Sequence, residues 1–180
     1  IMACISKKLA SAIDYNCDTG ATGLVSAMII NKADIASFTY SGDLVSQIEL
    51  KEGAKPYKID TVKRSLVLSS SLKVNEGAPN AYTHSATIVD TSERGYGTEQ
   101  RSRINVYANA NFVIVAWPLG KSFGQIYGLF YGMSPTSVDF SSHDNGGWTT
   151  VVVSTPENVI GEDELFMSRD AYNALYATAG

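Results

Sequence analysis

The 180-residue chain has two cysteines, two histidines and five prolines, and only 18% of its residues are charged. Each shortage removes a class of protein. Cys4 and Cys17 are too few for a disulfide scaffold and lack the Cys-x-x-Cys spacing of a metal or redox site, so they read as two partly buried free thiols in a reducing compartment. His84 and His143 have no partner at ligand spacing, which leaves no His-Glu-x-x-His helix and no His-x-His pair for zinc. A serine or cysteine triad also needs a histidine beside a strained nucleophile turn, and no Gly-x-Ser-x-Gly occurs. Apolar runs such as residues 112–117 are far too short to span a bilayer. Lys7 and Lys8 follow a short apolar stretch, whereas a secretory signal places its lysines before a longer one. Met2 reads as the natural start, with Ile1 as an addition, and the expectation is a soluble protein made in the cytosol.

What remains is 44% apolar, rich in Ser, Thr and Asn, with a net charge of −4. An acidic chain repels phosphate backbones, so sequence-directed nucleic-acid binding is excluded. Charges fall below the globular average of about 25%, so the surface is either hydroxyl-rich or hidden in an assembly. The length suits one β-rich structural domain over residues 1–180, with extended loops and terminal arms.

Strand patterns dominate. Residues 24–30, 35–40, 112–117 and 148–154 read as strands, and residues 84–89 resume one after a loop at 75–80. Leu66, Leu68, Leu72 and Val74 alternate with serines and lysine as in a half-buried strand. Residues 44–50 keep no clean period. Residues 122–131 form a hairpin with 112–117 across Gly120-Lys121-Ser122, and residues 138–140 read as a short strand. Helix is expected over residues 98–109, with Thr98 as N-cap and Ile104, Tyr107 and Ala108 on one face. Residues 5–15 suit a short helix, and residues 163–177 suit a terminal helix or an extended arm. Grouped strands with one internal helix predict a mainly β fold, an antiparallel sandwich or barrel with a flanking helix and short terminal helices.

Catalytic constellations are sparse. Asp18-Thr19-Gly20-Ala21 matches the aspartic-protease signature, and Val159-Ile160-Gly161 resembles its companion element. However, Tyr15-Asn16-Cys17 is not the apolar strand such a site needs, and a loop turn is the simpler reading of the match. Gly95-Tyr96-Gly97 lacks the third glycine of a phosphate loop. Glu162, Asp163 and Glu164 read as a solvated acidic run or as partners for another subunit. No catalytic residue, metal ligand or cofactor site is expected, and the chain reads as a non-enzyme. A carbohydrate-binding sandwich with Trp117 and Tyr131 as platforms is the other alternative.

Aromatics crowd residues 112–148, and Tyr127, Phe130 and Tyr131 cannot all face one side of a strand. Some of that surface is expected to meet a loop, a helix or another subunit. Ser69-Ser70-Ser71 and the loops around Gly53 and Gly77 read as arms that order on contact with neighbours. Subunit contacts are expected at residues 43–55, 75–80 and 162–176. Deleting residues 162–180 is expected to weaken oligomerisation and to leave the β fold intact.

The stretch Phe112-Val113-Ile114-Val115-Ala116-Trp117, Gly120-Lys121-Ser122-Phe123-Gly124 and Ile126-Tyr127-Gly128-Leu129-Phe130-Tyr131-Gly132-Met133 resembles the tail tube proteins (major tail proteins) of long-tailed bacteriophages. In those, a strand and a Gly-Lys turn lead to an apolar-aromatic-Gly-x-x-x-Gly-Leu strand, with Met133 here in place of Leu. Their closing Ser/Thr-Pro-Glu string is here Ser154-Thr155-Pro156-Glu157, and the helix before the hairpin has the same place in the order. The resemblance covers residues 98–157. It implies a virion structural protein whose hexameric rings stack into a tail tube. Its partners would be copies of itself and other virion tail proteins, with DNA passing through the lumen without specific binding and no membrane contact. Loops and terminal arms would join the rings.

Overall fold

The computed structural model describes residues 11–12, 23–59, 61, 65–74, 76–77, 80–90, 105–140, 149–156 and 164–180. The expected helix at 5–15 therefore lies outside the described residues, apart from 11–12, and the expected helix at 98–109 is seen only as a helical run at 105–109, here α1. The strands are β1 (Leu24–Asn31), β2 (Ile35–Ser41), β3 (Leu44–Leu50), β4 (Tyr57–Ile59), β5 (Leu66–Lys73), β6 (Ala81–Asp90), β7 (Phe112–Pro118), β8 (Gly124–Tyr127), β9 (Ser134–Phe140), β10 (Thr149–Ser154) and β11 (Leu165–Met167). A 3-10 turn, Lys32–Asp34, links β1 to β2, and the chain closes on α2 (Arg169–Ala177).

The strands form two sheets, a seven-stranded one ordered β2-β3-β11-β8-β7-β1-β4 and a four-stranded one ordered β5-β6-β10-β9. The protein is mainly β and sandwich-like. Every pairing is antiparallel except β3 with β11, a parallel exception to the antiparallel expectation.

Strand β7 shows why. All six residues from Phe112 to Trp117 are buried. Side chains alternate along a strand, so a run apolar on both faces needs cover on both. Phe112, Ile114 and Ala116 join Leu66, Ala86, Ile88, Val151 and Val153 in a core between the two sheets. Val113, Val115 and Trp117 face the other way, into a second core with Met28, Ile30, Leu165, Met167 and Tyr172 under α2. The molecule is thus a three-layer stack of small sheet, large sheet and helix.

Strand β3 explains its own broken period. Phe38 pairs with Ile48 and Thr39 with Gln47, but Tyr40 pairs with Val45. Ser46 is the extra residue of a β-bulge, and its hydroxyl donates to the Thr39 carbonyl at 3.1 Å. The bulge resets the phase, so Val45 and Ile48 both reach the core at a spacing of three.

Two further expectations are corrected, and one is met in part. Ser69, Ser70 and Ser71 are not an arm; they pair with Ser85, His84 and Thr83 inside β5. Residues 163–177, expected as a terminal helix or an extended arm, hold the terminal helix α2, preceded by the strand β11. The deletion of 162–180 would remove β11, which lies between β3 and β8, so an intact β fold after that deletion is not compatible with this topology.

Candidate assembly surfaces

The segment from β7 to β9 is built around two glycines. Gly128 and Gly132 have φ of 77° and 74°, in the left-handed region that side chains disfavour. A Cβ on Gly128 would sit 2.8 Å from Met133 Cγ, and one on Gly132 would collide with the Asn111 amide. The Gly132 N–H donates to the Gly128 carbonyl at 2.8 Å, which folds residues 128–132 into a compact turn. Met133 then exchanges both backbone hydrogen bonds with Phe112, at 2.7 and 2.9 Å. At Ser134 the chain leaves the large sheet and enters the small one. Gly-x-x-x-Gly followed by a large apolar residue is therefore a sheet-switching turn.

This turn also resolves the crowded aromatics. Tyr127 ends β8 in the inter-sheet core, where the buried His84 ring meets it edge-on at 5.4 Å. Burial first, and the Glu164 charge second, push its hydroxyl up to about 12. Phe130 turns the other way and meets Phe38 and Tyr40 edge-on, each at 5.6 Å. Tyr131 remains 43% exposed.

Trp117 is only 7% exposed, so it is no sugar platform. Arg169 lies 4.7 Å over its ring, and Tyr172 packs beside it at 5.2 Å. The Tyr172 and Ser26 hydroxyls share a 2.7 Å hydrogen bond that ties α2 to β1. Burial raises the Tyr172 hydroxyl, partly offset by that bond. Asp18, Thr19, Gly20, Val159, Ile160, Gly161 and His143 lie outside the described residues, as do Gly95, Glu162 and Asp163. Among the described residues no three His, Cys, Asp or Glu side chains gather where a metal ion could bind, and no helix is long and apolar enough to cross a membrane.

The small sheet offers a regular surface. One face is buried against β1, β7 and β8. Register and alternation put Val67, Ser69, Ser71, Thr83, Ser85, Thr87, Val89, Thr150, Val152, Ser154, Ser137 and Asp139 on the other, with Lys73 at the end of β5 in the same phase. It is a face of hydroxyls and short aliphatics, with one carboxylate in its middle rows. Ser69 and Ser85 hydrogen-bond across it.

Strands β5 and β9 are the edges, each with one strand neighbour among the described residues. An edge presents unpaired N–H and C=O groups, and proteins blunt such edges with proline, charge or a bulge. Strand β9 has Pro135 and a bulge at Thr136. Strand β5 has neither; over eight residues its only charge is Lys73 at the end, and Val67 and Leu72 are 48% and 45% exposed. The apolar alternation of Leu66, Leu68 and Leu72 marked β5 as a strand in the sequence, but not as an edge.

Of the expected contact segments, Glu76, Gly77 and Asn80 are exposed, whereas residues 43–55 and the described part of 162–176 lie against each other. Comparison with family models, curated proteins and solved structures gives no match.

Proposed function

We propose that the chain is a non-catalytic bacteriophage virion protein, a tail tube subunit that assembles with its own copies into stacked rings around a channel. The observation that carries this reading is the four-stranded sheet, buried on one face and hydroxyl-lined on the other, whose outer strands β5 and β9 each have one strand neighbour among the described residues. Pairing β5 of one copy with β9 of the next, along the part of β9 that follows Pro135 and the bulge at Thr136, uses two different surfaces, and a head-to-tail contact of that kind closes into a ring when the rotation per copy divides a circle. Each closed step would remove both edges and extend the sheet by four strands.

The hydroxyl face suits the lumen of such a ring. Phosphates bind through Lys and Arg, so a Ser, Thr and Val wall with Asp139, and with Lys73 only at the end of β5, gives DNA little to hold. The resemblance to tail tube proteins supports the same reading, because its residues fall on β7, β8, the sheet-switching turn and the end of β10.

Negative-stain microscopy of concentrated protein tests it. Rings or tubes with a central channel are expected. Successive N–H groups of a strand point to opposite sides. One of Ser70→Pro and Ser71→Pro should therefore keep the fold while deleting an edge donor, and that variant should lose the rings. A wild-type protein that stays monomeric at every concentration, even beside other tail proteins, refutes the reading.

A further inference from the structure

The β2–β3 hairpin is joined to its sheet by one thin seam. Six register pairs hold β2 to β3, but only Phe166 with Leu44 and Met167 with Val45 hold β3 to β11. One further backbone bond, from the Phe166 N–H to the Asp43 carbonyl at 2.7 Å, completes the seam. Phe130 touches Phe38 and Tyr40 from the side.

Helix α2 is seated unevenly across this seam. On the body side it is tight: a Cβ on Gly124 would lie 3.2 Å from Trp117 and 3.3 Å from Tyr172. On the hairpin side a groove of about 440 Å³ opens between Ser46, Ile48 and Leu50 of β3 and Ala171, Ala174 and Leu175 of α2. Between the hairpin and the β11–α2 unit the backbone pairing is thus short, and the contact rests mainly on the side chains of Val45 and Ile48 in the core they share with Leu165, Met167 and Tyr172. Short turns bound the hairpin at both ends, Lys32–Asp34 before it and a turn at Glu52 and Gly53 after it.

We infer that the β2–β3 hairpin is an exchangeable arm, which leaves its own β11 and docks on β11 and α2 of a second copy. Val45 and Ile48 are 0% and 8% exposed, so an opened hairpin must rebury them. The surface shaped for them is the same seam on another molecule, and exchange between identical copies remakes every contact at little net cost. Two of the three segments expected from sequence to meet other subunits, residues 43–55 and 162–176, form the two sides of this seam. The inference concerns the seam alone and does not require that copies close into rings.

Single-cysteine proteins test it, made in a Cys4→Ser, Cys17→Ser background. Leu44→Cys protein is mixed with Phe166→Cys protein under mild oxidation, after each is shown to be folded by circular dichroism. A covalent heterodimer that increases with concentration, beyond the homodimer either protein forms alone, is expected. Its absence overturns the proposal. A second mixture pairs Phe166→Cys with Gln125→Cys, which faces residue 166 across the β8–β11 seam. This mixture should give no heterodimer; a heterodimer here would mean that β11 and α2 travel instead, and would overturn the assignment of the hairpin as the moving part. Hydrogen exchange on the wild-type chain needs no variant. Amides of β3 should exchange at least tenfold faster than those of β7, and equal protection of the two refutes the opening.

Discussion

Removing residues 162–180 is the sharpest single test of the architecture. Among the side chains lost are Leu165, Met167 and Tyr172, which are 1%, 1% and 3% exposed. Truncating one such buried side chain to alanine costs about 2–5 kcal/mol. Three together, about 6–15 kcal/mol, are comparable to the roughly 5–15 kcal/mol that holds a domain folded. The deletion also uncovers Trp117 and leaves β3 without its β11 neighbour. The truncated chain should therefore fail to give a cooperative urea transition by circular dichroism. Two point variants grade the effect. Tyr172→Phe removes only the Ser26 hydrogen bond, worth about 1 kcal/mol. Tyr172→Ala should cost about 3–5 kcal/mol, read as a lower urea midpoint at unchanged slope. A truncated protein with the wild-type spectrum, and a stability within about 1 kcal/mol of the parent, would refute the reasoning that β11 and α2 are integral to the sheet.

Alkaline unfolding should report on Tyr127. Its hydroxyl titrates near 10 when unfolded and at about 12 when folded, so its contribution is intact below pH 10 and is lost as pH rises through 12. The loss is limited to about 2–3 kcal/mol, and a pH series of urea midpoints should flatten in Tyr127→Phe. Gly128→Ala forces a side chain to a φ of 77° and against Met133, and should cost about 2–3 kcal/mol by thermal melting. Ser168→Ala removes the N-cap that accepts from the Ala171 N–H, and should cost about 1 kcal/mol, seen as a lower melting temperature.

Much of the strand content was legible because it depended on local pattern. The run from Phe112 to Trp117 is short, β-branched and stopped by Pro118, and those features hold whatever covers it. Leu24–Asn31 and Thr149–Ser154 were readable for the same reason. Strand β3 was harder, because a bulge at Ser46 breaks the two-residue period, and the bulge exists only in the pairing with β2. The alternation of Leu66, Leu68, Leu72 and Val74 pointed to a strand, but Ser69-Ser70-Ser71 within it also read as an arm, because serine alone carries little strand preference; β6 supplies partners along the whole of β5. The candidate surfaces were less legible still. An edge is defined by what does not pair with it, and no single strand's sequence records its neighbours.

The sequence by itself determined a mainly β chain without a metal-ligand or triad motif, and a Gly-x-x-x-Gly turn leading out of a buried hairpin. Those properties reside in residue types and their spacing along one segment. Only the tertiary structure decided that the C-terminal segment is a sheet strand and a covering helix instead of an arm. It also decided that β3 pairs with β11 over two residues, and that β5 has one strand neighbour among the described residues. Each of these depends on pairing between segments far apart in the chain, where the stabilising free energy comes from the partner and not from the segment itself.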